Sequence, residues 1–106
     1  MKRKKNLDHP DRRVTHGGIV QDIVEVSGFT VGRTVHPPGW RWSTDLKPVV
    51  GGDWCMARHV GVVLSGRQWV EMMDGTRFEL GPGDVYEIPP GHDGGVVGDE
   101  PLVCVD

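Results

Sequence analysis

With 106 residues the chain is long enough for one domain with a single core. Its formal charge of -3 at pH 7 creates no strong electrostatic attraction to nucleic acid or to an anionic membrane. No apolar run has the length of a secretory leader or a membrane span. We therefore expect a cytoplasmic protein that binds neither nucleic acid nor membrane. Its binding partners must be inferred from the residues of a particular site and not from the overall charge.

The start of the chain is locally basic, because MKRKK carries four cations in five residues. Such a segment either binds nucleic acid or anionic lipid, or is a solvated terminus, and the acidic remainder of the chain favours the solvated terminus. We expect residues 1–22 to form an N-terminal segment that is partly ordered, and residues 23–106 to form the folded domain.

Short valine-rich runs follow, separated by turns that draw on 16 glycines and 8 prolines, and no long stretch has helical periodicity. Asp74 and Gly75 are a strong hairpin signal because both tolerate the positive φ of a type I′ turn. Strands this short and evenly spaced predict an all-β protein, either a closed barrel or a jelly roll. The predicted strands cover residues 23–27, 29–35, 54–64, 67–73, 76–80, 85–88, 95–97 and 102–105.

A long loop, residues 36–53, interrupts the strands and carries the sequence HPPGWRW. A loop of this length in a small domain is usually functional or held by its own side chains. As a lid over the domain it would offer His36, Trp40 and Arg41 to a ligand, with the arginine placed for a carboxylate or phosphate. The alternative is that Trp40 and Trp42 pack on the outside of the domain or across a subunit contact.

The two cysteines, Cys55 and Cys104, are too few and too far apart to indicate a disulfide framework. In a cytosolic chain we expect both to be reduced. Either can serve as a small buried hydrophobe.

Two sets of landmarks recur at a spacing known from a protein family. Gly83, Pro89 and Gly91 follow the order glycine, five residues, proline, one residue, glycine. Gly66 matches the glycine that ends another motif, the first of the two along the chain, and residues 67–82 separate it from Gly83. The chain thus resembles the cupins over roughly residues 23–105, and the resemblance implies a single cupin β-barrel of jelly-roll type.

The metal ligands of the cupin motifs are replaced in this chain. Counting back from Gly66 places His59 at the family's glutamate, Cys55 at its second histidine and Asp53 at its first. Gly94 and Gly98 stand where the second motif has histidine and asparagine. The family's ligand set of three histidines and a glutamate is therefore absent.

A different ligand set remains a hypothesis, because side chains alternate along a strand and Asp53, Cys55 and His59 then share one face. In the fold that the chain resembles, this face lines the barrel interior. A carboxylate, a thiol and an imidazole suit zinc or ferrous iron better than magnesium or calcium. His92 would be the fourth ligand if the turn before it aims it inward.

Each of these residues also has a structural interpretation. Cys55 can be a core residue, and Asp53 can end the long loop through hydrogen bonds from its side chain to the backbone. His59 can be a polar contact for a bound small molecule in a cavity without metal. Of the neighbours Tyr86 and Glu87, strand alternation allows only one to face such a cavity, and it does not say which.

Three functions are compatible with these residues. The first is an enzyme acting on a small organic metabolite, with a metal as Lewis acid or oxygen-activating centre, or with His59 or His92 as general acid or base. The second is a metabolite-binding module or sensor without metal, which the loss of the family's ligands favours. A purely structural barrel leaves the inward polar face unexplained. The resemblance also implies a homodimer, which is compatible with all three functions.

Overall fold

The computed structural model describes residues 3–106. Nine β-strands make up about half of this part of the chain. They are β1 (Arg12–His16), β2 (Ile19–Val26), β3 (Phe29–His36), β4 (His59–Ser65), β5 (Arg67–Met72), β6 (Arg77–Leu80), β7 (Val85–Ile88), β8 (His92–Val97) and β9 (Leu102–Val105). The long loop contains a π-helical turn, Trp42–Leu46, and a short helix α1, Lys47–Val50. The all-β prediction is confirmed.

The strands form two antiparallel sheets. One has six strands in the order β1-β2-β3-β9-β4-β7, and the other has three in the order β6-β5-β8. Strands adjacent in a sheet are often far apart in sequence, as in the pairing of β3 with β9 and of β5 with β8. Two packed antiparallel sheets with such connections are the architecture of a jelly roll.

The core lies between the two sheets. Val63, Ile88 and Leu102 enter it from the six-stranded sheet and Val70 from the three-stranded sheet, and each is at most 1% exposed. Burial of a side chain of this size stabilises the fold by about 1.5–3 kcal/mol. Because neighbours along a strand point to opposite faces, β7 buries Tyr86 and Ile88 and exposes Val85 and Glu87.

The N-terminal boundary predicted at residue 23 falls inside β2, which begins at Ile19. β1 precedes it and pairs with it through a two-residue turn at Gly17 and Gly18, with φ values of 54° and 83°. Paired glycines are a hairpin signal, since both central residues of such a turn need positive φ. The sheet therefore starts at Arg12. Met1 and Lys2 of the basic start lie outside the described residues, and Lys5 pairs with Asp11.

The strand predicted over residues 54–64 is shorter in the structure, because β4 begins at His59. His59 pairs with Ile88, the last residue of β7. Pro89 and Pro90 come next and have no N–H group to donate, so the ladder cannot extend toward Cys55. Among residues 3–106, no helix has the length and apolar character needed to cross a membrane.

Gly66, one of the motif landmarks, connects β4 to β5 at a φ of 79°. A Cβ atom here would lie 2.3 Å from the carbonyl oxygen of Pro101, so the turn passes directly over the chain that leads into β9. Gly98 has a similar φ of 82° but open space around it. Both positions thus need a residue that tolerates positive φ. Only at Gly66 does the close approach of another chain segment also exclude a side chain.

We predict that Gly66→Ala destabilises the protein more than Gly98→Ala. The left-handed backbone costs both variants about 1–2 kcal/mol, and the steric conflict with Pro101 adds about 1–3 kcal/mol to Gly66→Ala alone. Urea denaturation of the wild type and both variants measures the two losses of unfolding free energy. Equal losses would contradict the close approach at Gly66.

Candidate functional site

A cavity of about 270 Å³ opens between the two sheets. This volume is just below the usual range for ligand pockets, about 300–1,000 Å³, so it suits one small molecule. Four of the five histidines of the chain line it. Its apolar wall includes Ile19, Trp40, Trp42, Leu46 and Ile88, and its polar groups come from His16, Gln21, Thr34, His36, Cys55, His59, Gln68, Tyr86, His92, Cys104 and Asp106.

Cys55, His59 and His92 bring their potential ligand atoms within 4.8 Å of one another. The Cys55 Sγ atom lies 3.9 Å from His59 Nε2. The two imidazole rings meet edge to face, with centroids 5.2 Å apart. Three of the four residues predicted as metal ligands are therefore adjacent in the fold.

A backbone bridge holds Cys55 against His92. The N–H of Cys55 donates to the carbonyl of His92 at 2.7 Å, and the N–H of His92 donates back at 3.2 Å. The N–H of Gly91 also donates to the carbonyl of Cys55, at 2.8 Å. Gly91 follows Pro90 and has a φ of 91°. This turn directs the side chain of His92 into the cavity, where the residue is 4% exposed.

The tautomer of His92 follows from its hydrogen bond. Its Nδ1 atom lies 2.8 Å from the carbonyl oxygen of Pro89. A carbonyl only accepts hydrogen bonds, so Nδ1 carries the proton and Nε2 has a free lone pair. Metal-binding histidines commonly have such a partner on the nitrogen that does not bind the metal.

These donors fit a divalent transition metal. With bonds of about 2.0–2.3 Å, two donors on a tetrahedral zinc ion lie roughly 3.4–3.6 Å apart, and the Cys55 to His59 separation is 3.9 Å. These two atoms must therefore approach each other by about 0.3–0.5 Å to bind one ion, and the three ligand atoms of the group all lie within 4.8 Å of one another. Three protein ligands would leave the fourth position free for water or substrate, as in catalytic zinc sites.

The protonation of the site follows from its burial. Burial lowers the pKa of both His59 and His92, so both imidazoles are neutral near pH 7. Burial raises the pKa of the Cys55 thiol, which therefore keeps its proton at neutral pH unless a cation stabilises the thiolate. The site as it stands holds two neutral nitrogen donors and one protonated sulfur.

Asp53, the fourth predicted ligand, lies outside this group. Its side chain is 92% exposed and lies 3.8 Å from Lys47 Nζ. The prediction assumed a strand through residue 53, but Gly51 and Gly52 both have positive φ there and strand pairing begins only at His59. Alternation therefore does not apply, and the placement of Asp53 on the cavity face was wrong.

Tyr86 faces the cavity, and its neighbour Glu87 points outward to an ion pair with Arg58. Arg41, predicted to contact a ligand, also lies outside the cavity lining. Its guanidinium lies 5.2 Å from the centre of a ring of Trp69, on the outer face of the three-stranded sheet. Glu87 and Arg41 are thus surface residues in the structure, with side chains that are 56% and 51% exposed.

The long loop folds inward and forms one wall of the cavity. Trp40 and Trp42 are 7% and 4% exposed, so they pack in the interior and not on the outside of the domain. The indole N–H of Trp40 donates to the carbonyl of Gly17 at 2.7 Å. His36 lines the same cavity, with its ring centroid 4.5 Å from that of Trp40.

Asp106 is a cavity residue that sequence reasoning missed. Its Oδ2 atom lies 3.9 Å from His59 Nδ1 and 3.5 Å from the hydroxyl of Tyr86. Burial raises the pKa of this carboxyl group, while His59 and Tyr86 act in the opposite direction. Alternation could have found it, because Leu102 and Cys104 of β9 point inward and Asp106 continues the same series.

No family model and no curated protein matches the sequence, but solved structures do. A protein of unknown function from Rhizobium leguminosarum bv. viciae 3841 has 20% identity and a TM-score of 0.67, over 99% of this chain and 93% of that one. An RmlC-like cupin from Shewanella frigidimarina NCIMB 400 has 17% identity and a TM-score of 0.63, over 99% and 87%.

A cupin-like protein from Thermotoga maritima MSB8 has 24% identity and a TM-score of 0.57, over 82% of this chain and 65% of that one. At these identities the likeness concerns the fold. It agrees with the glycine and proline landmarks of the sequence and with the two packed sheets. The chain therefore has a small cupin-type fold.

Proposed function

We propose that this protein binds a small organic metabolite in its cavity, beside a divalent transition metal held by Cys55, His59 and His92. The observation that carries the proposal is the convergence of these three side chains on one wall of the cavity. A thiol and two imidazoles favour zinc or ferrous iron over magnesium or calcium.

A metal in this position would act as a Lewis acid on an oxygen atom of the bound molecule. The residues of the chain supply the rest of the site. Trp40, Trp42 and Ile88 exclude water from one side of the ligand. The hydroxyl of Tyr86 and the neutral imidazoles offer hydrogen bonds that orient it.

His36 is an argument for an organic ligand that does not depend on a metal. Its Nδ1 atom is buried and has no hydrogen-bond partner within residues 3–106. An unpaired buried polar atom costs about 1–3 kcal/mol, and a ligand that hydrogen-bonds to it would recover this energy. The unpaired Nδ1 atom of His36 favours a second candidate function, which is binding of a metabolite without metal and without catalysis.

We expect purified protein, loaded with Zn²⁺ and desalted, to retain one zinc ion per chain. His59→Ala and His92→Ala should each lose most of this zinc, because each removes one of three protein ligands. His9→Ala is the matched control, since His9 is exposed and lies outside the cavity lining. Elemental analysis gives the stoichiometry.

Absence of bound metal from the wild type after separate loading with Zn²⁺ and with Fe²⁺ would reject the metal centre. Retention of full zinc by both variants would reject these ligands. Metabolite binding without metal would then stand as the function, supported by His36.

We also expect the stability of the protein to fall as the pH falls from 6.5 to 4, in part because of His36. Burial lowers the pKa of His36 to about 4, so the unfolded chain takes up a proton in this range and the folded chain does not. His36→Gln should therefore lose less unfolding free energy than the wild type between pH 7 and pH 4.5, by up to about 3 kcal/mol.

Urea denaturation at a series of pH values measures this difference. His9→Gln, which alters an exposed histidine, should keep the wild-type pH dependence. If His36→Gln keeps it as well, His36 is not a neutral buried group in the cavity wall.

A further inference from the structure

We propose that Asp106 is a positioning residue that orients His59, so that the Nε2 atom of His59 faces Cys55 and His92. The inference rests on the proposed function, in which His59 is a ligand. It adds a carboxylate that acts through His59 and does not itself bind the metal.

The two ring nitrogens of His59 face different partners. Nε2 lies 3.9 Å from the Sγ atom of Cys55, and Nδ1 lies 3.9 Å from the Oδ2 atom of Asp106. At this distance the negative charge of a carboxylate attracts an N–H group and repels a lone pair, so it favours the tautomer with the proton on Nδ1. The lone pair of His59 then lies on Nε2, the nitrogen that faces the ligand cluster.

Asp106 is held in place by its backbone and its side chain. Its N–H donates to the carbonyl of Gly32 at 2.9 Å, and the N–H of Gly32 donates back at 2.7 Å. The hydroxyl of Tyr86 lies 3.5 Å from the same Oδ2 atom that faces His59. Because β9 and β3 fix the main chain, the carboxylate has a defined position beside the imidazole.

Gly61 leaves the space that this arrangement needs. A Cβ atom at residue 61 would lie 2.5 Å from the Cβ atom of Asp106 and 2.9 Å from the Tyr86 hydroxyl. The absence of a side chain at Gly61 thus lets the carboxylate, the phenol and the imidazole of His59 approach one another within the six-stranded sheet.

The two histidines of the cluster then have the same arrangement, with an oxygen atom beside Nδ1. His92 has its Nδ1 atom against the carbonyl oxygen of Pro89, and His59 has its Nδ1 atom near the carboxylate of Asp106. Both rings present Nε2 to the space between them and Cys55. Outer partners of this kind typically change metal affinity by about 10–100-fold when they are removed.

The test measures the tautomer and the metal affinity in the same set of variants. In metal-free protein, two-dimensional ¹H–¹⁵N spectra of the imidazoles should show His59 protonated on Nδ1 in the wild type and shifted toward the Nε2-protonated form in Asp106→Ala. Zinc affinity, measured by competition with a chelator, should fall about 10–100-fold in Asp106→Ala.

Asp106→Asn keeps an acceptor oxygen without the charge, so both its tautomer and its affinity should lie between those of the wild type and Asp106→Ala. Asp99→Ala is the control for loss of a carboxylate, because Asp99 is exposed and outside the cavity lining. It should match the wild type in both measurements.

An unchanged His59 tautomer in Asp106→Ala overturns the inference, whatever the melting temperature does. A changed tautomer with zinc affinity within twofold of the wild type also overturns it, because the orientation would then not serve the metal. If the wild type binds no zinc, the proposed metal centre fails, while the spectra still decide whether Asp106 orients His59.

Discussion

The candidate site depends on one short piece of backbone pairing, the bridge between Cys55 and His92. Cys55 belongs to no strand, and this bridge pairs the segment that follows the long loop with β8. The reciprocal hydrogen bonds attach that segment to the first residue of β8. They bring a thiol from a loop and an imidazole from a strand to the same wall of the cavity. His59 then joins them because β4 starts four residues after Cys55 and runs along the six-stranded sheet.

Two turns explain why glycine landmarks like those of the cupins can stand in a chain that does not have the cupin metal ligands. Gly91 supplies the positive φ that directs His92 inward, and Gly66 passes over the chain before β9 at a distance that no side chain would allow. Both constraints concern backbone geometry and close packing. They hold whatever side chains line the cavity. A cupin-type fold can therefore keep its frame while the polar groups inside it differ in type and position.

Sequence reasoning succeeded where periodicity or spacing applied. Glycine and proline spacing predicted the fold, and alternation correctly predicted that only one residue of the Tyr86 and Glu87 pair faces the cavity. It failed at Asp53, because alternation was extended to residues that have no partner strand. Asp106 could have been found by continuing the inward series of β9. The packing of the loop could not be predicted, because Trp40 is held by a contact that is distant in sequence, its hydrogen bond to the carbonyl of Gly17.

The position of the tryptophans has a practical consequence. Two of the four indoles in the chain, Trp40 and Trp42, form part of the cavity wall, whereas Trp69 lies on the outer face of the other sheet beside two arginines. Indole emission responds to the polarity and quenching groups of its surroundings. A molecule that enters the cavity displaces solvent directly against two of these fluorophores. The protein therefore carries an intrinsic optical reporter of occupancy, and a library of unlabelled metabolites can be screened against it without a known substrate.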